Sequence, residues 1–164
     1  MKYFAYGSNM SILRLQARVP SAEKIAVVML KNHQLRFNMI GIDGSGKCDC
    51  FMTNNSNDFV IGVLFEIDKE EKHILDNAES LGTGYFDKIV FVEDDNGNVF
   101  EALIYCALRI DGTLKPFSWY LHHVIIGAKK AKISSDYIAA IEAIKCIEDP
   151  NQARELKELA IYNN

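Results

Sequence analysis

No cluster of lysine and arginine stands out in this 164-residue chain, and its formal net charge is −4. The electrostatic footprint of a nucleic-acid binder is therefore missing, and "AKKAKI" (128–133) is too short to supply one. No apolar run approaches the roughly 20 residues of a membrane-spanning helix. The N-terminus lacks the charged region followed by an apolar region that marks a secretory signal. Internal repeats, low-complexity tracts and evident linkers are absent too. Of the four cysteines, Cys48 and Cys50 are spaced C-x-C, and no second pair follows, so no zinc pattern forms. His122 and His123 are neighbours on one helix and cannot easily face one ion together. Without a secretory context the thiols read as reduced core residues. These absences leave a soluble, cytoplasmic protein with no metal, no nucleic-acid partner and no membrane partner, and the length fits a single domain over residues 1–164.

Hydrophobic residues make up 49% of the chain and charged residues 24%, enough to bury a core without staples. "KYFAY" (2–6) reads as a short strand, and 10–18 as a helix with Met10, Leu13 and Ala17 on one face and Arg14 and Arg18 on another. Asn9 or Ser8 would cap it, and Pro20 ends the segment. Strands follow at 24–30, 33–40, 48–53 and 59–67, with a glycine-rich loop at 41–47. "FVIGVLFEI" (59–67) is almost continuously apolar, as in a central strand, and Gly62 within it permits close approach by another backbone or a ligand. Asp68 and Glu71 have the capping-box spacing for a helix that stops near Glu79, before Gly82 and Gly84. Strands at 85–94 and 98–108 meet at "DNGN", a hairpin signal. Helices cover roughly 116–130, 134–147 and 150–162. Strands come early and helices late, without regular alternation, so the fold class is α+β with a mixed or antiparallel sheet that curls towards a barrel.

Three stretches could carry chemistry. "YGSN" (6–9) is either a plain strand-to-helix turn with a capping Asn or an anion site built from free N–H groups at a helix start. Ser8 lacks the G-x-S-x-G setting of a nucleophile. Glu79 is either a solvated residue at a frayed helix end, or a carboxyl whose pKa is raised by the apolar face beside Leu75 and by the helix C-terminus, as a general base requires. Tyr120, in "PFSWYLHHVIIGAKK" (116–130), is either a core or rim tyrosine or a hydroxyl aimed at a ligand.

Taken together, "YFAYGSNM", "LRLQARVPSA" (13–22), "FVIGVLFEIDKEEKHILDNAES" (59–80) and "YLHHVIIGAKK" (120–130) resemble the γ-glutamylcyclotransferase (AIG2-like) family, in order over residues 1–130. The resemblance implies an α+β fold around a small mixed six-stranded barrel with flanking helices, the helices of 134–162 packing on or beside it. It implies release of 5-oxoproline and a free amine or amino acid from a γ-glutamyl compound, without cofactor or metal. Tyr6, Gly7, Ser8 and Asn9 match the family's substrate-gripping loop, Glu79 its acid/base glutamate and Tyr120 its late tyrosine. Two positions depart from the pattern: Ser80 stands where Gly is common, and Phe86 where the aromatic is commonly Tyr, with Tyr85 beside it. On a strand Tyr85 and Phe86 point to opposite faces. Other readings are a specialised γ-glutamyl amine or acyl product as substrate, or a non-catalytic γ-glutamyl-binding protein. Oligomeric state is not legible, and a homodimer stays open.

Overall fold

The computed structural model describes residues 1–163 of the chain. In order, the elements are β1 (Lys2–Ala5), α1 (Ile12–Gln16), β2 (Glu23–Lys31), β3 (His33–Ile40), β4 (Gly46–Met52), β5 (Phe59–Glu66), α2 (Lys72–Ala78), β6 (Tyr85–Glu93), β7 (Val99–Ala107), α3 (Ser118–Ala131), α4 (Ser135–Glu142) and α5 (Gln152–Leu159). No helix among the described residues is long and apolar enough to cross a membrane.

The expected α+β barrel is present. Its strand order is β1-β5-β2-β6-β7, and it closes where β7 runs parallel to β1 at Tyr3 and Leu103. The continuous apolar run of β5 is explained by its place between β1 and β2, where Val63 pairs with Ala5 on one side and Val27 on the other. The β6–β7 hairpin turns at Asp94–Asn98, with Gly97 at φ +81 and the Asp94 carboxylate accepting the N–H groups of Asn96 and Asn98. Five strands close the barrel rather than six, because β3 and β4 form a separate antiparallel ribbon. Both edges of β2 are already used, by β5 and, at Met29–Glu93, by β6. Asn32, at φ +62, turns the chain outwards between β2 and β3.

Several boundaries move for identifiable reasons. The expected helix 10–18 is a 3-10 turn, Ser8–Met10, followed by the short α1. Neither Ser8 nor Asn9 caps α1: the position before it is Ser11, with no side-chain cap. At the start of α2 the Asp68 carboxylate accepts from Glu70, whereas the Glu71 carboxylate accepts from the N–H and hydroxyl of Ser21, so the box is not reciprocal. Helix α4 ends at Glu142 rather than near 147, because Ile147 pairs with the segment ahead of α3: its N–H donates to Pro116 and its carbonyl accepts from Ser118. Cys48, Cys50 and Cys106 are buried free thiols in the core.

Two close approaches set the relative positions of these parts. A Cβ on Gly62 would run into the Ala5 carbonyl, so β1 and β5 meet backbone to backbone. A Cβ on Gly127 of α3 would stand 2.5 Å from the Ser11 nitrogen and 2.6 Å from the Met10 carbonyl carbon, so α3 presses directly on the end of the turn after β1. Helix propensity alone would make Gly127→Ala stabilising by about 1 kcal/mol. Packing against rigid backbone reverses the sign, and the expected outcome is a loss of at least about 1–3 kcal/mol in urea unfolding. A gain in stability would contradict this packing.

Candidate active site

β1 delivers Tyr6 and Gly7 into the 3-10 turn, which is closed by Met10 N–H to the Gly7 carbonyl (3.0 Å) and Ser11 N–H to the Ser8 carbonyl (3.3 Å). The N–H groups of Ser8 and Asn9 have no partner among the described residues. Gly7 is dictated by β4: a Cβ there would meet the Cys48 Cβ at 2.9 Å. The side chains of this turn have separate tasks. The Tyr6 hydroxyl donates to the Tyr105 carbonyl at 2.6 Å, which ties the turn to β7. The Asn9 amide donates to the Tyr3 hydroxyl (3.0 Å) and to Glu79 Oε1 (2.8 Å), and its oxygen accepts from Arg18 Nη1 (3.0 Å). That use explains why Asn9 is not a helix cap.

Glu79 terminates α2, its N–H donating to the Leu75 carbonyl at 2.9 Å. Its side chain is only 16% exposed, and Arg18 Nη1 lies 3.6 Å from Oε1. Burial is the chief influence and pushes the carboxyl above its ordinary value, while Arg18, the Asn9 hydrogen bond and Arg14 pull it back. The direction matches that expected from the sequence. Ser80, directly after it, has φ +51. This is the left-handed conformation that glycine adopts freely and that costs other residues about 1–2 kcal/mol, and its carbonyl turns the chain back by accepting from Gly84 N–H at 2.8 Å.

Two tyrosines hold β4 against this corner. The Tyr85 hydroxyl donates to the Cys48 carbonyl (2.7 Å), and the Cys48 N–H donates to the Tyr120 oxygen (3.0 Å). Tyr85 is 6% exposed and faces in, whereas Phe86 is 39% exposed and is not brought to the site. Strand alternation separates the two, so Tyr85 supplies the inward aromatic surface.

These groups surround a small inner chamber of about 30 Å³, with Tyr6, Gly7, Ser8, Asn9 and Glu79 in its wall. The chamber opens into a cleft of about 280 Å³. Ser8, Glu79, Tyr85 and Tyr120 line both. Cations line the outer cleft and not the chamber: Arg14, Arg18, Lys47 and Arg154. Lys47 Nζ lies 2.7 Å from Asp43 Oδ2 and 4.7 Å from the ring centres of Trp119 and Tyr120. Arg154 grips Asp149 with two bonds of 2.6 Å. No histidine lines either space, so none is placed to activate Ser8.

The structure brings Glu79, the turn and Tyr120, all named from the sequence, around one space, beside cations the sequence did not point to. The i, i+4 spacing placed Arg14 and Arg18 on one face, but not what that face meets. Lys47 and Arg154 carried no signal. Among the described residues no group of His, Cys, Asp and Glu is arranged to hold a metal ion. The arrangement suits an anionic ligand, with one carboxyl of raised pKa at the junction of chamber and cleft.

The raised pKa has a measurable consequence for stability. The native carboxyl keeps its proton over a pH range where the unfolded chain, at about 4.5, has lost it. Stability therefore falls as pH rises from 4.5 towards the native value. Glutamine has no such proton. The stability of Glu79→Gln relative to wild type should grow with pH across that window and level off above it, as read by urea unfolding at a series of pH values. A flat or falling difference would contradict the burial described.

A model of the AIG2-like family matches residues 59–141. The chain is 26% identical to the γ-glutamylcyclotransferase of Homo sapiens over 151 residues, covering 87% of this chain and 78% of that protein. The Bos taurus γ-glutamylcyclotransferase gives the same identity and coverage. A solved structure described as a γ-glutamyl cyclotransferase superposes with a TM-score of 0.89 at 25% identity, covering 100% of this chain and 99% of the other.

Proposed function

The chain belongs to the AIG2-like family, and from that membership we propose that it is a γ-glutamylcyclotransferase-type enzyme with Glu79 as its acid/base residue. The observation that carries the reading is the Glu79 carboxyl itself: largely buried, raised in pKa, oriented by Asn9 and Arg18, and set where the chamber meets the cleft.

The α-amine of a γ-glutamyl compound arrives as an ammonium and cannot attack. Glu79, ionised, takes a proton from it. The freed nitrogen lone pair forms a bond to the γ-carbonyl carbon, and the carbonyl electrons move onto oxygen. The unpartnered N–H groups of Ser8 and Asn9 are suited to that oxyanion, or to the substrate's α-carboxylate. As the carbonyl re-forms, the bond to the leaving nitrogen breaks and Glu79 returns the proton to it, while the ring nitrogen, left with two hydrogens and a positive charge by the attack, releases the surplus proton, which ends on the freed amine. The products are 5-oxoproline and a free amine, with no change of oxidation state. Closing a ring within one molecule leaves the protein mainly to fold the substrate into an attack geometry. Tyr85 and Tyr120 suit that role, since their hydroxyls are fixed on the Cys48 peptide and their rings wall both spaces. The cleft draws residues from Ser8 to Arg154, which supports reading the chain as one domain acting on one small γ-glutamyl substrate.

The test is 5-oxoproline release from γ-glutamyl-alanine, a γ-glutamyl-lysine isopeptide, glutathione and a γ-glutamyl alkylamine. Wild type should turn over at least one of them. Glu79→Gln should lose about 10²-fold or more in kcat with a modest change in binding. A folded wild type inert towards all four, or a fully active Glu79→Gln, would refute the assignment.

A further inference from the structure

Arg14 differs from the other cations of the cleft. It is 9% exposed, yet it lines the cleft wall. Its Nη1 is held from behind, donating to His123 Nε2 at 3.0 Å and to Glu158 Oε2. Its Nε is buried without a hydrogen-bond partner, and Nη2 has none among the described residues. A buried, unsatisfied donor is rare in folded proteins. Nε is closed off, whereas Nη2 is not, so Nη2 is the nitrogen through which this guanidinium can bond a carboxylate in the cleft.

The holding groups form a chain that fixes the histidine tautomer. The Tyr162 hydroxyl donates to Ser11 Oγ at 3.0 Å, so its oxygen accepts from His123 Nδ1–H at 2.7 Å. Nε2 of the neutral ring then carries a lone pair, as the bond from Arg14 requires. Burial lowers the His123 pKa to about 4, which keeps the ring neutral near pH 7. The Glu158 carboxylate, bonded to the same Nη1, is the counter-charge of the guanidinium.

We propose that Arg14 is a specificity residue whose guanidinium receives, through Nη2, a carboxylate on the leaving half of the substrate, and that Tyr162, His123 and Glu158 are positioning residues that fix that guanidinium. The proposal rests on the γ-glutamylcyclotransferase reading above. The inner chamber has Glu79 and no cation in its wall, so the γ-glutamyl end with its reacting amine sits beside that carboxyl and the leaving half lies among the cations outside. Glu158 and Tyr162 lie beyond residues 59–141, so the C-terminal segment sets substrate choice from outside the stretch that the family model matches.

The experiment compares γ-glutamyl-alanine with γ-glutamyl-alaninamide, which differ in one negative charge, on wild type, Arg14→Gln, Arg14→Lys and Tyr162→Phe. Wild type should prefer the acid. In Arg14→Gln the ratio of kcat/KM for acid over amide should fall about tenfold or more, through KM. Arg14→Lys should restore part of it. Tyr162→Phe removes the acceptor that holds Nδ1–H and should lower the same ratio several-fold, again through KM. A ratio unchanged in Arg14→Gln, or a wild type that does not discriminate, overturns the anchor. Equal losses on both substrates in Tyr162→Phe overturn the positioning role, and this variant decides the matter should Arg14→Gln not fold. If wild type releases no 5-oxoproline from either compound, calorimetric binding of the two decides the anchor separately, and the catalytic reading stands or falls on the four-substrate panel above. An acid preference that Arg14→Gln abolishes keeps it. Equal affinity, or no binding of either, overturns it.

Discussion

The turn after β1 lies between Cys48 of β4 and the Gly127 face of α3, so close that a methyl group on Gly7 would meet the Cys48 Cβ at 2.9 Å and one on Gly127 would meet the Ser11 nitrogen at 2.5 Å. Backbone confined in this way cannot drift, because its neighbours are main chain or the stem of a side chain rather than the free end of one. Asn9 inherits that fixity and passes it to Glu79 through its amide. Tyr6 passes it to β7. The aromatic walls follow from the same contact, since Tyr85 and Tyr120 are both bonded to the Cys48 peptide.

Against this rigid frame stands a carboxyl in an unfavourable place. Withdrawing Glu79 from water opposes its charge, and Arg18, Asn9 and Arg14 offset part of that cost without abolishing it. A closer, fully bonded ion pair would have driven the pKa down and left a poor base. At 3.6 Å, Arg18 stabilises the charged form only partially. Ser80 adds a second local cost at φ +51, which lets the chain leave α2 in time for Glu79 to face the chamber. Local costs gathered on neighbouring residues, and balanced by a well-packed surround, are the usual physical signature of a working site.

Elements with a strong local code were legible in the sequence. The apolar run of β5, the Asn-Gly hairpin between β6 and β7, and the stop of α2 before Gly82 need only neighbouring residues to specify them. Features set by partners distant in sequence were not. The period-3.6 pattern of 10–18 is real, yet the capping role expected of Asn9 was lost to Glu79, 70 residues on. Alternation separated Tyr85 from Phe86 without saying which faces inwards, because that depends on β4. Helix α4 stopped early because Ile147 found an extended partner ahead of α3. The barrel count fell from six to five for a similar reason: a strand pattern does not reveal that both edges of β2 are already occupied. Arg14 and Arg18 were visible as a pair, but their tasks diverge through contacts with α2 on one side and with α3 and α5 on the other.

The burial of Cys48 makes the site its own clock. Its thiol is pushed up to about 12 and lies under α3 and β6, whereas Cys146 is exposed. An alkylating reagent needs a thiolate it can reach. Cys146 labels in the intact protein, while Cys48 labels only when β4 parts from the tyrosines that clamp its peptide. With Cys48 told apart from the other buried thiols, Cys50 and Cys106, by peptide mapping, the interval between its modification and that of Cys146 times the spontaneous opening of the cleft, with no substrate and no assumption about the reaction.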